Sequence, residues 1–103
     1  MSSGKKQSKI FYHPLVRKDI SKLPKNILER IQKRIEDELS YYPDILGERL
    51  RGPFKDLWKF RSGDYRIVYR LIKGSIYIIK IAHRSKVYTP EILRRLEKYL
   101  FGD

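Results

Sequence analysis

The side chains of this sequence that could do chemistry are mostly cationic and are concentrated in one stretch. Residues 49–90 hold eleven lysines and arginines against two acids, so this stretch carries +9 of the formal net charge of +12. The rest of the chain mixes thirteen bases with ten acids, which is typical of an ordinary solvated surface. Guanidinium groups bind phosphate oxygens through paired hydrogen bonds and can stabilise charge that develops on them. The cluster therefore favours a polyanionic partner over a merely basic surface.

Other kinds of catalytic site find little support in the composition. The chain has no cysteine, which excludes disulfides, thiol nucleophiles and cysteine-ligated zinc. A metal site built on His13 or His83 would need nearby carboxylates, and the basic stretch offers only Asp56 and Asp64. These two acids stand apart and are interpreted as turn residues, which argues against a two-metal nuclease. We expect neither a metal ion nor another cofactor.

Length and hydropathy predict one cytoplasmic domain without membrane contact. The chain of 103 residues is long enough for one core and too short for two. Residues 1–8 are expected to form a basic, disordered tail and residues 9–103 a single domain. The apolar runs 67–72 and 76–82 are far shorter than a membrane span, and the first eight residues have no apolar signal core.

The first half of the sequence predicts a short strand followed by two helices. Lys9–Tyr12 combines β-branched and aromatic residues, as strands do. Pro14 suits the first turn of a short helix, which Pro24 ends. From Pro24 to Tyr42 apolar residues recur every three or four positions, which predicts an amphipathic helix. The pair of helices needs a sheet to cover its apolar stripe.

The second half predicts that sheet, so the fold class is α+β. Runs 54–61, 65–73 and 75–83 are rich in Ile, Val and aromatic residues and are joined by hairpin turns at 62–64 and 73–75. They predict a three-strand antiparallel meander. A last helix is predicted over Pro90–Leu100, capped by Thr89, with an exposed side that carries Arg94, Arg95 and Lys98.

Alternation along the strands predicts which side chains share a face of the sheet. Neighbouring strand residues point to opposite faces, so Trp58 and Phe60 face the helices. The opposite, open face then receives Lys59, Arg61, Arg66 and Arg70. The third strand is apolar on both sides and its orientation is left open. If Lys80 joins the open face, Arg84 follows four residues later.

Four segments carry a resemblance to a known family. They are Val16–Pro24, Leu50–Pro53, the stretch LWKFRSGDYRIVY at residues 57–69 and HRSKVY at residues 83–88. Together they resemble the RelE/ParE toxin superfamily over nearly the whole chain. The resemblance implies the RelE-like microbial RNase fold and a toxin of a type II toxin–antitoxin system that enters the ribosomal A site and cuts mRNA there without a metal.

The resemblance also implies roles for individual residues. In the RNA-cutting branch a 2′-hydroxyl attacks the scissile phosphate and leaves a cyclic phosphate. By position Arg66 and Arg84 match the phosphate-binding arginines, Lys59 matches the strand lysine and Tyr88 the carboxy-terminal tyrosine. These four are the predicted catalytic residues. Further RNA contacts are predicted for Lys55, Arg61, Arg70, Lys80, His83 and Lys86.

The sequence leaves open which side chain transfers the proton. Arginine remains charged and cannot serve, which leaves Lys59, Lys55, His83 or Tyr88. The best-studied mRNA-cutting relatives carry two lysines here, one residue apart, whereas this chain has Lys59 followed by Arg61. A histidine at a strand end is more often structural than catalytic, and Tyr88 could instead stack on an unpaired base.

The implied partners are a cognate antitoxin, the ribosome and its mRNA. A partly acidic, amphipathic antitoxin segment would neutralise the last helix or the open face of the sheet. Two other functions remain possible for the same fold. One is a toxin of the ParE branch that inhibits DNA gyrase without nuclease activity. The other is an inactive homologue that only binds an antitoxin or represses its own operon.

Overall fold

The computed structural model of the chain describes residues 6–87, 89, 94, 95 and 98. The strands are β1 (Ile10–Tyr12), β2 (Glu48–Arg49), β3 (Leu57–Ser62), β4 (Tyr65–Ile72) and β5 (Ser75–His83). The helices are α1 (Val16–Ser21), α2 (Lys25–Arg34) and the single turn α3 (Pro43–Leu46). The strands form one sheet in the order β1-β5-β4-β3-β2. This architecture confirms the predicted α+β class. No helix in the described part of the chain is long and apolar enough to cross a membrane.

The predicted meander is present and is extended by one strand on each side. β3, β4 and β5 pair antiparallel in sequence order. β1 begins one residue later than predicted and pairs parallel with β5, with Ile10 opposite Ile76. β2, which the sequence pattern did not indicate, pairs antiparallel with β3. Because β1 runs parallel to β5, the chain must cross over the sheet between these two strands. The helices that follow β1 make this crossover.

Both hairpin turns contain a glycine with a positive φ. β4 and β5 are joined by Lys73 and Gly74 with φ of 50° and 81°, the positive values that a two-residue type I′ turn requires. Gly63, with φ of 60°, opens the turn between β3 and β4. β3 begins at Leu57 rather than at the predicted residue 54, because Gly52–Phe54 forms a 3₁₀ turn.

The long predicted helix changes its winding before it ends. α2 begins one residue after Pro24, and the helix continues as a π-helical segment over Ile35–Leu39. The N–H of Ser40 donates to the carbonyl of Ile35, five residues back, at 2.8 Å. The Gln7 amide donates to the carbonyl of Glu36 at 3.1 Å, and the Ser40 hydroxyl donates to the same oxygen. Side chains thus satisfy a carbonyl within the widened turn.

Both faces of the sheet carry an apolar cluster, although only one was expected to. The helices cover the larger cluster, formed by Val16, Ile31, Ile35, Leu39, Phe60, Ile67, Tyr69, Ile76, Ile78 and Ile81. On the opposite face Leu57, Val68, Ile79 and Val87 are buried, with Leu50, Phe54 and Ala82 packed against them. The open face is therefore covered at its centre, because Val87 folds back over the sheet from the turn after β5. Of the predicted last helix, the structure describes only residues 94, 95 and 98, which are helical.

Candidate nucleic-acid interface

The turn between β3 and β4 gathers three arginines. Arg61 and Arg66 are directly opposite each other on the two strands. Nη1 of Arg66 donates to the carbonyls of Gly63 at 3.0 Å and Tyr65 at 3.1 Å. The backbone N–H of Arg84 donates to the carbonyl of Asp64 in the same turn at 2.7 Å. The two predicted phosphate-binding arginines, Arg66 and Arg84, are thus both held by one turn.

The charges at this turn are only weakly compensated. Like charges opposite each other on neighbouring strands are destabilising, so Arg61 and Arg66 would gain from a bound anion. Asp64 is the acid of the turn, and its Oδ1 is 3.8 Å from Nε of Arg84. Both side chains are about two-thirds exposed, at 67% and 65%, so water screens the pair and a phosphate could replace the carboxylate. A guanidinium has five donors, and the two carbonyl contacts of Arg66 do not exhaust them.

Lys59 shares the face of these arginines. It lies two residues before Arg61 on β3, about 7 Å along the strand, and pairs with Val68. Its side chain is half-buried at the rim of the second apolar cluster. Tyr88, the fourth predicted catalytic residue, is outside the described residues.

Of the other predicted RNA contacts, Arg70 lies on this face, and Lys55 and Lys86 are exposed. Arg70 lies opposite Leu57, about 13 Å along β4 from Arg66, on the same face. Lys55 is exposed just before β3, and Lys86 is exposed in the turn after β5. The cationic face, defined as Lys59, Arg61, Arg66, Arg70 and Arg84, therefore lies on both sides of the buried Val68 of β4.

Lys80 is engaged elsewhere, which differs from its predicted RNA contact. It lies opposite Val68 in register, yet its ammonium donates to Oδ1 of Asp19 on α1 at 2.6 Å. The two side chains are only 12% and 7% exposed. β1 covers the edge of β5 only as far as Ile78, and Oδ2 of Asp19 accepts the N–H of Ile81 beyond it at 3.1 Å. Arg95 completes the cluster, with Nη2 at 3.6 Å from Asp19. Lys80 thus helps to close a strand edge.

His83 faces away from the arginines. It pairs with Tyr65, and the two rings meet edge to face with centroids 5.5 Å apart. Tyr65 packs against the helix-covered core, whereas Arg66 points to the opposite face. A β-bulge causes this placement, because Ile79 has no partner between the pairs Val68–Lys80 and Tyr69–Ile78. The structure therefore does not bring His83 to the cationic face.

Arg34 is a supporting residue that the sequence pattern did not indicate. From α2 its Nη1 donates to the carbonyl of Arg61 at 2.6 Å, and its guanidinium lies 4.6 Å from the centroid of the Phe60 ring. Two further hydrogen bonds of 3.1 Å join it to Glu38, and they hold the pKa of that carboxyl below its ordinary value. The i,i+4 spacing of Arg34 and Glu38 is visible in the sequence, but the reach to β3 is not.

Comparisons with known proteins agree with this fold and with the sequence motifs. A family model described as the ParE toxin of the type II toxin–antitoxin system parDE matches residues 10–88. Toxin RelG of Mycobacterium tuberculosis is 31% identical over 74 residues, which cover 70% of this chain and 85% of that protein. Toxin RelE of the same organism is 36% identical over 73 residues, covering 69% and 75%.

Solved structures lead to the same family. The RelBE2 toxin–antitoxin complex of M. tuberculosis matches with a TM-score of 0.72 and 27% identity, covering 78% of this chain and 94% of the matched chain. A double arginine-to-alanine variant of the E. coli toxin RelE in the free state matches with a TM-score of 0.72 and 25% identity, covering 93% and 100%. The chain therefore belongs to the RelE/ParE superfamily of toxins from type II toxin–antitoxin systems.

Proposed function

We propose that this toxin is a metal-independent endoribonuclease that cuts mRNA on the ribosome and thereby inhibits translation. The observation that carries the proposal is that Arg66 and Arg84 both contact the β3–β4 turn, with Arg61 opposite Arg66 and Lys59 on the same face. The curated relatives named RelE and RelG add support.

The chemistry divides between charge stabilisation and proton transfer. Attack of a ribose 2′-hydroxyl on the adjacent phosphorus forms a 2′,3′-cyclic phosphate and breaks the bond to the 5′-oxygen of the next nucleotide. Arg66 and Arg84 would bind the non-bridging oxygens, on which negative charge increases in the transition state. Lys59 is the described group on this face that could exchange the proton, since arginine keeps its charge. The remaining cationic residues would hold the RNA backbone.

An antitoxin is the second proposed partner. Several structural relatives were solved as complexes of RelB antitoxins with RelE toxins, from Methanococcus jannaschii and E. coli among others. A partly acidic segment on the cationic face would bury the charge that the RNA needs. Amide exchange with the bound antitoxin should then protect β3 and β4, whereas protection confined to the helix of residues 27–39 would contradict this placement.

Purified protein added to ribosomes programmed with a defined mRNA tests the nuclease. Primer extension should find new 5′ ends with the wild type, and Arg66→Ala should slow single-turnover cleavage by about a hundredfold or more. Arg66→Lys should restore only part of the rate, because an ammonium keeps the charge but loses the paired hydrogen bonds. Arg17→Ala is the matched control, since Arg17 is exposed on α1. Normally folded Arg66→Ala and Arg84→Ala variants that cut at the wild-type rate would exclude the mechanism.

Inhibition of DNA gyrase is the second candidate function. It is favoured by the family model, whose description names the ParE toxin of parDE. A gyrase inhibitor acts by binding, so it has no chemical need for Lys59, Arg66 and Arg84 together. A supercoiling assay run beside the ribosome assay separates the two functions, because the wild-type protein should act in only one of the two assays.

A further inference from the structure

We infer that His83 is a positioning residue for Arg84, and that it acts as a hydrogen-bond acceptor within the turn that carries this arginine. The inference rests on the proposed nuclease function and assigns one more residue to that site. It concerns the four residues His83–Lys86, called here the histidine turn.

Three contacts within the histidine turn involve His83. The N–H of Lys86 donates to the backbone carbonyl of His83 at 2.8 Å, which closes the turn. The N–H of Ser85 donates to Nδ1 of the imidazole at 3.2 Å, and the hydroxyl of Ser85 is 2.9 Å from the same nitrogen. A backbone N–H can only donate, so Nδ1 is the acceptor of the Ser85 N–H. The imidazole thus does what an asparagine side chain does in an Asx turn.

The direction of Arg84 depends on this turn. Its side chain is 65% exposed and has only the distant contact with Asp64, so nothing rigid in the described residues fixes the guanidinium itself. Its backbone is held from two sides: the N–H donates to Asp64, and the neighbours His83 and Ser85 are tied to each other. Tyr65 holds the imidazole edge to face from the adjacent strand. A misplacement of about 1 Å in a catalytic group can cost about a hundredfold in rate.

The chain contains the same arrangement a second time, in the turn before α1. Nδ1 of His13 accepts the N–H of Leu15 at 3.1 Å, and the carbonyl of His13 accepts the N–H of Val16 at 2.8 Å. This turn leads into α1. It supplies a matched control, because the loss of its imidazole removes the same local contact without touching the turn of Arg84.

Single-turnover cleavage on programmed ribosomes tests the inference with His83→Ala, His83→Asn, His13→Ala and Arg84→Ala. His83→Ala should lower the rate by about ten- to a hundredfold. His83→Asn should restore a rate close to the wild type, since the amide oxygen can accept the N–H of Ser85. His13→Ala should leave the rate unchanged. In an Arg84→Ala background, His83→Ala should have no further effect, because it acts through the missing side chain.

The outcomes separate this inference from the nuclease proposal. If Arg84→Ala is inactive and His83→Ala cuts like the wild type, the positioning role is wrong and the nuclease stands. If His83→Asn is as slow as His83→Ala, or if the two losses multiply in the double variant, the imidazole acts by another route and the inference fails. If Arg84→Ala itself cuts at the wild-type rate, the proposed mechanism fails first.

Discussion

Asp19 and Lys80, which are 61 residues apart in the sequence, form a buried ion pair with an N–O distance of 2.6 Å. The carboxylate of Asp19 joins α1 to the free edge of β5, because its second oxygen accepts the N–H of Ile81. A buried ion pair is costly to break, since the remaining charge stays in a poorly hydrated place.

Asp19→Ala should therefore lower the free energy of unfolding by about 3–5 kcal/mol, as measured by urea denaturation. It leaves the ammonium of Lys80 without this carboxylate and removes the acceptor of the Ile81 N–H. The double variant Asp19→Ala, Lys80→Met should recover part of the loss, because no uncompensated lysine remains. Glu38→Gln, at an exposed pair, is the control and should cost well under 1 kcal/mol. Equal losses for Asp19→Ala and Glu38→Gln would contradict the buried pair.

Tyr69→Phe should destabilise the fold by about 1–3 kcal/mol near neutral pH. The side chain is fully buried, and its hydroxyl donates to the carbonyl of Pro43 at 2.6 Å. Removing the donor takes this hydrogen bond from the carbonyl of Pro43, which is a buried residue. The loss is measured as the difference in the free energy of unfolding from the wild type.

The difference in the free energy of unfolding between the wild type and Tyr69→Phe should also depend on pH. Burial, and then the nearby charge of Asp44, raises the pKa of Tyr69 above its ordinary value of 10.0. Above that pH the unfolded chain releases a proton that the native state keeps, so the contribution of Tyr69 to stability is lost as pH rises. The stability gap between wild type and Tyr69→Phe should shrink from about pH 8 to about pH 10.5. All other tyrosines are shared, so a constant gap would contradict the burial of the hydroxyl.

Lys73→Asn should stabilise the protein by about 0.5–1 kcal/mol. Lys73 has φ of 50° in the turn between β4 and β5, a left-handed conformation that asparagine adopts more easily than lysine. Asparagine followed by Gly74 is also the preferred pair of a type I′ turn. Thermal unfolding measures the gain, and Lys73→Val should show a loss because a β-branched side chain is strained there. A lower melting temperature for Lys73→Asn would argue against this turn type.

Binding to single-stranded RNA should weaken steeply with salt. The logarithm of the affinity should fall by about 0.7 for each neutralised phosphate per unit of log salt concentration. Arg61→Ala should reduce that slope by about one contact, since Arg61 is exposed on the cationic face. Lys80→Met should leave the slope unchanged, because its ammonium is held by Asp19. Fluorescence anisotropy over a salt series measures both slopes, and a flat response of the wild type would contradict phosphate binding at this face.

The sequence by itself determined the features that depend on local patterns. The 3.6-residue period marked α2, and the runs around Gly63 and Gly74 marked the meander and its turns. Strand alternation placed Lys59, Arg61, Arg66 and Arg70 on one face, as the register of β3 and β4 confirms. These features rest on the backbone periods of helices and strands, which neighbouring residues reveal.

Only the tertiary structure decided the features that depend on distant residues. The bulge at Ile79 shifts the alternation of β5 by one residue. In a regular strand, Lys80 and His83 would each point to the opposite face of the sheet from the one observed. The end of β1 at Tyr12 leaves an edge of β5 that Asp19 closes, which occupies Lys80. The turn after β5 returns Val87 to a face expected to be open. No local period encodes these contacts, because each joins elements that meet only when the sheet and helices have packed.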